Sequence, residues 1–348
     1  MPWYAFLLAP LALIFRIITG IRNWLFDRQI LKSFKLPIPS LVVGNLSVGG
    51  TGKTPMVEFL IRNLRGEFEI GSLSRGYGRK TRGFFQAKHE SSPAEIGDEP
   101  LQIFQKFDGK VPVFVGEDRV SALEKIAGMY PGVKAVILDD AFQHRKLKAD
   151  FYCLLTPYFS PFSGDYLLPM GKLRESRSGA RRADVLVVTK CPETLSLAQK
   201  QKTEAELRPY LEQKVPVFFS KIGYGEPYAI AHSVSFAGAV ILLAGLADDG
   251  PFVSYCQGRF DVLEVLSYPD HYDYGRDELG RIAQLAEKHL QQKPVLLTTE
   301  KDAVKLKSLA NQGFLGEIPI FVLPIEAQFE SKDKQMLLSY IREKFSKK

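Results

Sequence analysis

The stretch PSLVVGNLSVGGTGKTPMVEFL, residues 39–60, constrains the fold of this chain more than any other segment. A short β-branched run leads into a glycine-rich turn. The turn is followed by apolar residues at 56, 57, 59, 60, 61 and 64, which is helical spacing. A strand, tight turn and helix in this order point backbone N–H groups and the positive end of the helix dipole at one place. The segment therefore predicts a phosphate-binding loop.

The glycine-rich turn differs from the strict nucleotide-binding pattern at one position. That pattern, G-x-x-x-x-G-K-[ST], begins with glycine, where this chain has Ser47. The remainder fits: Lys53 is placed to reach the β- and γ-phosphates, and the Thr54 hydroxyl to bind Mg²⁺. We expect the nucleotide to contact eight consecutive residues: Ser47, Val48, Gly49, Gly50, Thr51, Gly52, Lys53 and Thr54.

Continuous apolar runs elsewhere predict further strands of the same sheet. They are VPVFVG, VKAVILD, FYCLLT, DVLVVT and VPVFFS, at 111–116, 133–139, 151–156, 184–189 and 215–220. Such runs are typical of parallel strands covered on both faces, and helical patterns lie between some of them. The fold class is therefore α/β, with a doubly wound, mostly parallel sheet like that of P-loop NTPases.

The chain is long enough for two α/β domains. We expect an N-terminal helical segment at 1–35 and a P-loop domain at 36–220. Residues 221–238 are a linker, or an exchange of extended strands between domains. A smaller α/β domain follows at 239–348. The seam between the two domains is the expected place for a cleft.

Acids at the end of a buried strand are the second requirement of a nucleotide site that binds Mg²⁺. Asp139 and Asp140 follow the apolar residues of AVILDDAFQH. We favour metal-linked roles for both, and the sequence leaves open which is nearer the metal.

Phosphoryl transfer also needs a group that activates the acceptor and positive charge around the transferred phosphoryl. Three stretches contain candidates, SRGYGRK, IGDEPLQIF and LLPMGKLRES, although Asp98 and Glu99 in the second would serve equally as a helix cap. Among the five histidines only His271, in the turn-rich YPDHYDYG, is placed to reach the cleft. The candidates in the three stretches are Arg75, Arg79, Asp98, Glu99, Lys172, Arg174 and Glu175.

The N-terminus indicates contact with a membrane surface. Residues 2–15 form an uncharged run of 14 residues, short of the ~20 needed to cross a bilayer. Between 16 and 35 five basic residues accompany one acid, Asp27. An apolar helix with basic charge behind it is typical of an interfacial anchor on an anionic membrane. A helix packed on the core and a true membrane span are the alternatives.

The charge balance indicates an anionic partner. The formal net charge is +7, which suits anionic lipid, a phosphorylated substrate or nucleic acid. No clustered aromatic and basic platform is present, so we expect no nucleic-acid binding. Cys153, Cys191 and Cys256 have no metal or disulfide spacing. They are interpreted as core residues of a protein in a reducing cytoplasm.

Seven motifs occur in an order that resembles one enzyme family. They are VGNLSVGGTGKTP, SRGYGR, GDEP, LDDAFQHR, LLPMGKLRE, YPDHY and TTEKDAVK. The chain resembles the tetraacyldisaccharide 4′-kinases of lipid A biosynthesis from residue 1 to about 325. Ser47 is usual in that family. Ala141 stands where the family more often has glycine, and we expect it to affect loop geometry more than chemistry.

The resemblance implies a lipid kinase that depends on ATP and Mg²⁺, at the cytoplasmic face of the inner membrane of a Gram-negative bacterium. It implies phosphorylation of the 4′-hydroxyl of a tetraacylated disaccharide 1-phosphate, giving the lipid IVA precursor of lipid A. The chain is expected to be a monomer that associates peripherally with the membrane through its N-terminal helix.

The resemblance also implies residue roles. Asp98 is the base that activates the acceptor, supported by His271, and Asp139 and Asp140 serve metal binding and catalysis. Lys53 and Thr54 have the phosphate-loop roles. The further active-site residues that it implies are Arg75, Arg119, Arg174 and Glu175.

Other functions share parts of these patterns. A regulatory or metal-inserting NTPase would have a similar glycine-rich turn. A GTPase would carry Asn-Lys-x-Asp after a strand, where this chain has Thr189, Lys190 and Pro192 in VVTKCPE. A membrane scaffold without activity is the alternative if the loop is degenerate.

Overall fold

The computed structural model describes residues 7–231, 235–236, 238–310 and 318–346. The strands of its larger sheet are β1 (Ser40–Asn45), β2 (Ile70–Ser74), β3 (Phe85–Gln86), β4 (Val113–Val115), β5 (Ala135–Asp139), β6 (Phe151–Pro157), β7 (Val185–Thr189), β8 (Val217–Tyr224) and β14 (Ile325–Phe329). Those of its smaller sheet are β9 (Tyr228–Ala231), β10 (Ala239–Gly245), β11 (Asp261–Tyr268), β12 (Val295–Thr299) and β13 (Ile320–Leu323). The helices are α1 (Ala9–Asp27), α2 (Lys53–Leu64), α3 (Pro93–Ile96), α4 (Asp98–Lys106), α5 (Arg119–Met129), α6 (Leu197–Leu207), α7 (Gly250–Gln257), α8 (Arg276–Lys288), α9 (Glu300–Ala310) and α10 (Ser331–Ser346).

The larger sheet is a doubly wound sheet with β1 at its centre. Its order is β14-β8-β7-β6-β1-β5-β2-β4-β3, and its inner strands are parallel. The chain first builds the β5–β2–β4 side and then crosses β1 to build the β6–β7–β8 side. Ligands of open α/β sheets bind at the carboxyl ends of strands where the order switches. Here that point is the end of β1, where the glycine-rich turn begins.

Alternation along β1 explains why both faces of this sheet are covered. Leu41 and Val43 join the core formed with α2, α4 and α10. Val42 points to the other face and packs in the core that contains the apolar side of α5. The burial of all six β1 residues follows from these two layers, and the predicted α/β fold class is confirmed.

The smaller sheet has the order β11-β10-β12-β13-β9 and is parallel except for β9. Its inner strand β10 is buried along its whole length. Cores lie on both of its faces. Cys256 lies in one of these cores and Cys153 in the core of the larger sheet, while Cys191 is half-buried; all three are free thiols.

Two adjacent crossings connect the sheets. β8 of the larger sheet leads to β9 of the smaller one, and β13 leads back through Pro324 to β14, which pairs antiparallel with β8. Residues 325–346 therefore pack with the first domain: β14 lies in its sheet and α10 in its core. The expected second domain of 239–348 is too long at its C-terminus, and strand exchange describes 221–231 better than a linker does.

A buried ion network joins the two domains through α4 and α9. The Lys106 ammonium lies 2.6 Å from Glu58 Oε2 and 2.7 Å from Glu300 Oε2, and it donates to the Ile325 carbonyl at 2.9 Å. Gln102 donates to the other oxygen of Glu58 at 2.8 Å. Burial raises the pKa of Glu58 to about 7, although the charge of Lys106 opposes this. One cation thus links α2, α4, α9 and β14.

Helix α1 exposes most of its apolar side chains. Its length and composition alone would allow it to cross a membrane, and only 6% of its apolar window is buried. Ala12 is its one buried residue among those described. Near its C-terminal end, Asp27 pairs with Arg145 at 2.7 Å, and Arg22 donates to the Gln143 carbonyl at 3.1 Å. Polar contacts therefore fix one end of α1 to the P-loop domain.

The Lys106 network makes a prediction about stability. Lys106→Ala leaves Glu58 and Glu300 buried together without their cation, which typically costs roughly 3–5 kcal/mol. We expect urea unfolding to show a loss of this size at neutral pH. Lys110→Ala is the matched control, since Lys110 is exposed and pairs only with exposed Asp108. A Lys106→Ala protein as stable as this control would show that the network does not hold the domains.

Candidate active site

Two glycines give the loop after β1 its conformation. Gly49 and Gly52 have φ values of +106° and +84°, a region that side chains disfavour. A Cβ on Gly52 would lie 3.5 Å from Thr189 Cβ, and the Thr189 hydroxyl donates to the Thr51 carbonyl at 2.8 Å. Gly52 caps α2, and Lys53 is the first residue of that helix. The predicted nucleotide-contacting residues therefore form one turn at a helix N-terminus.

Two adjacent carboxyl groups beside this turn have opposite pKa shifts. Asp139 is 1% exposed at the end of β5, next to β1, and burial, followed by the charge of Glu99, raises its pKa to about 8. Burial acts on Asp140 as well, but the hydrogen bonds of Arg174 and the charge of Lys53 outweigh it and lower the pKa of Asp140. Neighbouring acids with separated pKa values are typical of sites that need different protonation states.

Arg174 and Arg119 supply cationic groups to these acids. Arg174 binds Asp140 through both nitrogens, at 2.9 and 2.7 Å, and donates to the Asn45 carbonyl at 3.1 Å. Arg119 is 4% exposed, and burial, opposed by the charge of Asp140, lowers its pKa to about 10. It is still a cation at neutral pH. Arg75 is exposed, and its charge acts on Arg119.

Asp98 and His271 are brought together from different domains. Asp98 is the first residue of α4, and His271 lies in the loop after β11. His271 Nδ1 lies 3.2 Å from Asp98 Oδ2. Burial alone would raise the pKa of Asp98, but hydrogen bonds from His271 and Lys305 lower it. Asp98 is therefore a carboxylate at neutral pH, and Glu99 beside it is close enough to Asp139 to influence its pKa.

A lysine assigns the tautomer of His271. Lys301 Nζ lies 3.2 Å from His271 Nε2 and 2.5 Å from Asp270 Oδ1. An ammonium group has donors only, so Nε2 accepts and Nδ1 carries the proton that is donated to Asp98. The loop of His271 is itself fixed to α9, because the Tyr274 hydroxyl donates to Asp302 at 2.8 Å.

Glu175 lies in a buried network behind the acids. It is 1% exposed, and Arg182 binds both of its oxygens, at 2.9 and 2.8 Å. Gln143 donates to Glu175 at 2.9 Å and to the Asn45 carbonyl at 2.8 Å. Asn23 of α1 donates to Glu175 at 3.1 Å. These contacts connect Glu175 to α1 and to the start of the phosphate loop.

Comparisons with known proteins agree on one family. The family model described as Tetraacyldisaccharide-1-P 4'-kinase matches residues 4–343. A Tetraacyldisaccharide 4'-kinase of Flavobacterium psychrophilum is 41% identical, with 96% of each chain covered. One of Cytophaga hutchinsonii is 39% identical, over 97% of this chain and 95% of the relative. A crystal structure of the Aquifex aeolicus protein of this family in complex with ATP has a TM-score of 0.74 and 32% identity, over 97% of this chain and 98% of that chain.

The chain belongs to the tetraacyldisaccharide 4′-kinase family. It is therefore a lipid kinase of lipid A biosynthesis, an enzyme that transfers phosphate to a lipid. The regulatory NTPase, the nucleic-acid ATPase and the inactive scaffold are not needed to explain its motifs.

The structure of this kinase groups most of the predicted site residues. Direct contacts or mutual charge effects connect six of them: Lys53, Asp139, Asp140, Arg75, Arg119 and Arg174. Asp98 and His271 adjoin this group through Glu99, which follows Asp98 and whose charge acts on Asp139. The individual roles stay predictions. Ala141 is buried, and the left-handed residue of its turn is Asp140, with φ +48°. Alanine at 141 is therefore accommodated without a left-handed conformation.

Sequence reasoning missed several residues of this site. Lys301 and Lys305 both approach the Asp98–His271 pair. Their spacing of four residues within TTEKDAVK puts them on one helix face, which was a usable signal. His144 is also close to the site: burial, then the charge of Arg119, lowers its pKa to about 4. The sequence offered no signal for it, because its environment comes from distant segments.

The Arg174–Asp140 pair makes a prediction about turnover. Arg174→Lys keeps the charge but loses the planar pair of donors. A charge-assisted hydrogen bond is worth ~1.5–3 kcal/mol, so we expect kcat/KM to fall roughly 10- to 100-fold. Arg181→Lys is the control, because Arg181 is exposed in the same segment. Equal kcat/KM for the two variants would contradict a role for the bidentate contact.

Proposed function

We propose that this kinase transfers the γ-phosphate of ATP to the 4′-hydroxyl of a tetraacyldisaccharide 1-phosphate. The observation that carries the proposal is the Asp98–His271 pair, 3.2 Å apart and built from two domains. A sugar hydroxyl is a weak nucleophile at neutral pH, so its phosphorylation needs a base beside the acceptor, and Asp98 is a carboxylate at neutral pH. Activation of the acceptor by a positioned base is typically worth ~10²–10⁴-fold.

The residues beside the phosphate loop fit a magnesium ion. Asp139 Oδ1 is buried and has no hydrogen-bond partner among the described residues. Thr54 lies in the first turn of α2, where the loop meets the helix. Mg²⁺ in kinases is held by one or two protein oxygen ligands together with phosphates and water, so no dedicated protein cage is required. Thr54, Asp139 and Asp140 would hold the ion, which would neutralise charge on the phosphates.

The charges of the site residues suggest a separate role for each of them in the transfer. Asp98, a carboxylate at neutral pH, accepts the proton of the 4′-hydroxyl, and His271 holds that carboxylate in place. Lys53 and Arg119 supply positive charge where the phosphoryl group moves, with Arg75 at the exposed edge. Arg174 keeps Asp140 ionised and oriented. Glu175 supports these groups indirectly, by accepting hydrogen bonds from Arg182 and Gln143.

The first test is phosphate transfer from γ-labelled ATP to the tetraacyldisaccharide 1-phosphate in detergent micelles, with the product resolved by mass. We expect lipid product from the wild type with Mg²⁺, and almost none when the metal is chelated or with Lys53→Ala. Lys332→Ala, on exposed α10 surface, is the control variant. Release of free phosphate without lipid product would refute the proposed reaction and favour a switch NTPase.

The position of α1 supports peripheral attachment to the membrane. Asn23, Arg22 and Asp27 tie its C-terminal end to the P-loop domain. Residues 9–21 of the helix are mostly exposed apart from Ala12. This part is roughly 20 Å long at ~1.5 Å per residue, shorter than the ~30 Å hydrocarbon core. We therefore place α1 in one leaflet, on the cytoplasmic side where ATP is available. The acyl chains stay in the bilayer, and the enzyme acts as a monomer.

Removing apolar surface from α1 tests this attachment. Ile14, Ile17 and Ile21 are each more than half exposed. Each contributes roughly 1.5–3 kcal/mol when buried, so we expect the triple change to serine to weaken binding to anionic vesicles by more than about ten-fold. Leu197→Ser and Leu290→Ser remove apolar groups that are more exposed still from other surfaces as controls. Unchanged vesicle sedimentation of the triple variant would refute the anchor.

A further inference from the structure

Lys305 makes a contact that the proposed reaction leaves unexplained. It lies on α9 of the second domain, and its side chain is 10% exposed. Its Nζ is 3.0 Å from Asp98 Oδ2 and donates to the Tyr272 carbonyl at 2.7 Å. A largely buried lysine with a carboxylate of the other domain is a costly arrangement unless it serves a purpose.

Both donors to Asp98 converge on the same oxygen. His271 Nδ1 and Lys305 Nζ bind Oδ2, at 3.2 and 3.0 Å. In the described part of the chain no hydrogen bond to Oδ1 is present. The carboxylate is thus held by one oxygen and offers the other, which is the geometry a base needs when it receives a proton from an acceptor hydroxyl.

The two lysines of α9 have different partners. Lys301, one turn earlier, pairs with Asp270 and binds His271 Nε2. The Asp270 carboxylate therefore neutralises part of the charge of Lys301. Lys305 binds Asp98 directly. The other titratable groups beside Asp98 and His271 are Asp270, 3.9 Å from His271 Nε2, Tyr274, and Tyr77, whose ring packs against His271 at 5.1 Å. Lys305 is the cation in direct contact with Asp98.

We propose that Lys305 is a positioning residue of the transfer reaction: it binds Oδ2 of Asp98 and so leaves Oδ1 to face the acceptor hydroxyl. The second domain supplies this group together with His271, so the base is complete only when α9 is docked on α4. The inference rests on the proposed function, because it assigns Lys305 a task only if Asp98 accepts the proton.

The test is a double-mutant cycle on the full chain in the lipid kinase assay. Lys305→Met should lower kcat roughly 10- to 100-fold, the loss expected for a charge-assisted contact, with the KM values for ATP and lipid nearly unchanged. Lys305→Arg, which keeps a cation, should recover part of this loss. In an Asp98→Asn background, Lys305→Met should cause little further loss, since it acts through Asp98.

Lys307→Met is the matched control, because Lys307 is exposed on the same helix. Circular dichroism and urea midpoints identify variants that fail to fold; for these, Lys305→Arg and Lys305→Gln replace Lys305→Met in the cycle. Independent, multiplying losses in the cycle would overturn the inference, as would a change confined to KM. A wild type that forms no lipid product would instead overturn the proposed function. Lipid product with additive losses would leave that function standing and refute only the role of Lys305.

Discussion

The contact of Lys106 with Glu58 and Glu300 is the interaction on which the active site depends. It fixes the end of α4 against the start of α9. The two helices run in opposite directions, so the start of α4, with Asp98, meets α9 between one and two turns further along, at Lys305. A buried ion triad contributes little net stability over an apolar contact. Any other register of the two helices would bury these charges without their partners, however, which is unfavourable. The triad therefore selects one register of α4 and α9.

The parts of the site that the sequence could predict are those built by local order. A buried strand, glycines and Lys53-Thr54 define the phosphate loop within some fifteen residues, and Asp139 and Asp140 follow a neighbouring strand in the same way. Asp98 and His271 are 173 residues apart. Periodicity cannot pair such residues, and only the family resemblance suggested them together. The C-terminal boundary of the second domain was misplaced for a similar reason: the sequence of residues 325–329 does not specify that they pair with β8.

Glu175 and Asp140 are two acids of the predicted site with different surroundings. Glu175 follows Arg174 in the sequence, and Arg182 binds both of its oxygens. The sequence contains both residues, seven positions apart, but a short-range 3₁₀ turn over Arg177–Arg182 is what folds one onto the other. Asp140, by contrast, shares its arginine with the Asn45 carbonyl and stays beside the phosphate loop. An arginine binds both oxygens of each acid, so the two acids differ in position: Asp140 lies beside the phosphate loop and Glu175 lies behind it.

The same buried network gives the kinase a direct connection from α1 to the reacting groups. Asn23 binds Glu175, Gln143 joins Glu175 to the Asn45 carbonyl, and Arg174 joins that carbonyl to Asp140. Each step is a hydrogen bond between groups that are buried or partly buried, where the loss of a partner is costly. The end of α1 is therefore held at a fixed distance from the phosphate loop. Under the proposed attachment of α1 to the membrane, this fixed distance would set the height of the Asp98 carboxylate above the membrane surface. A flexible tether would bring the protein to the lipid, but only a rigid attachment defines where the sugar hydroxyl meets the base.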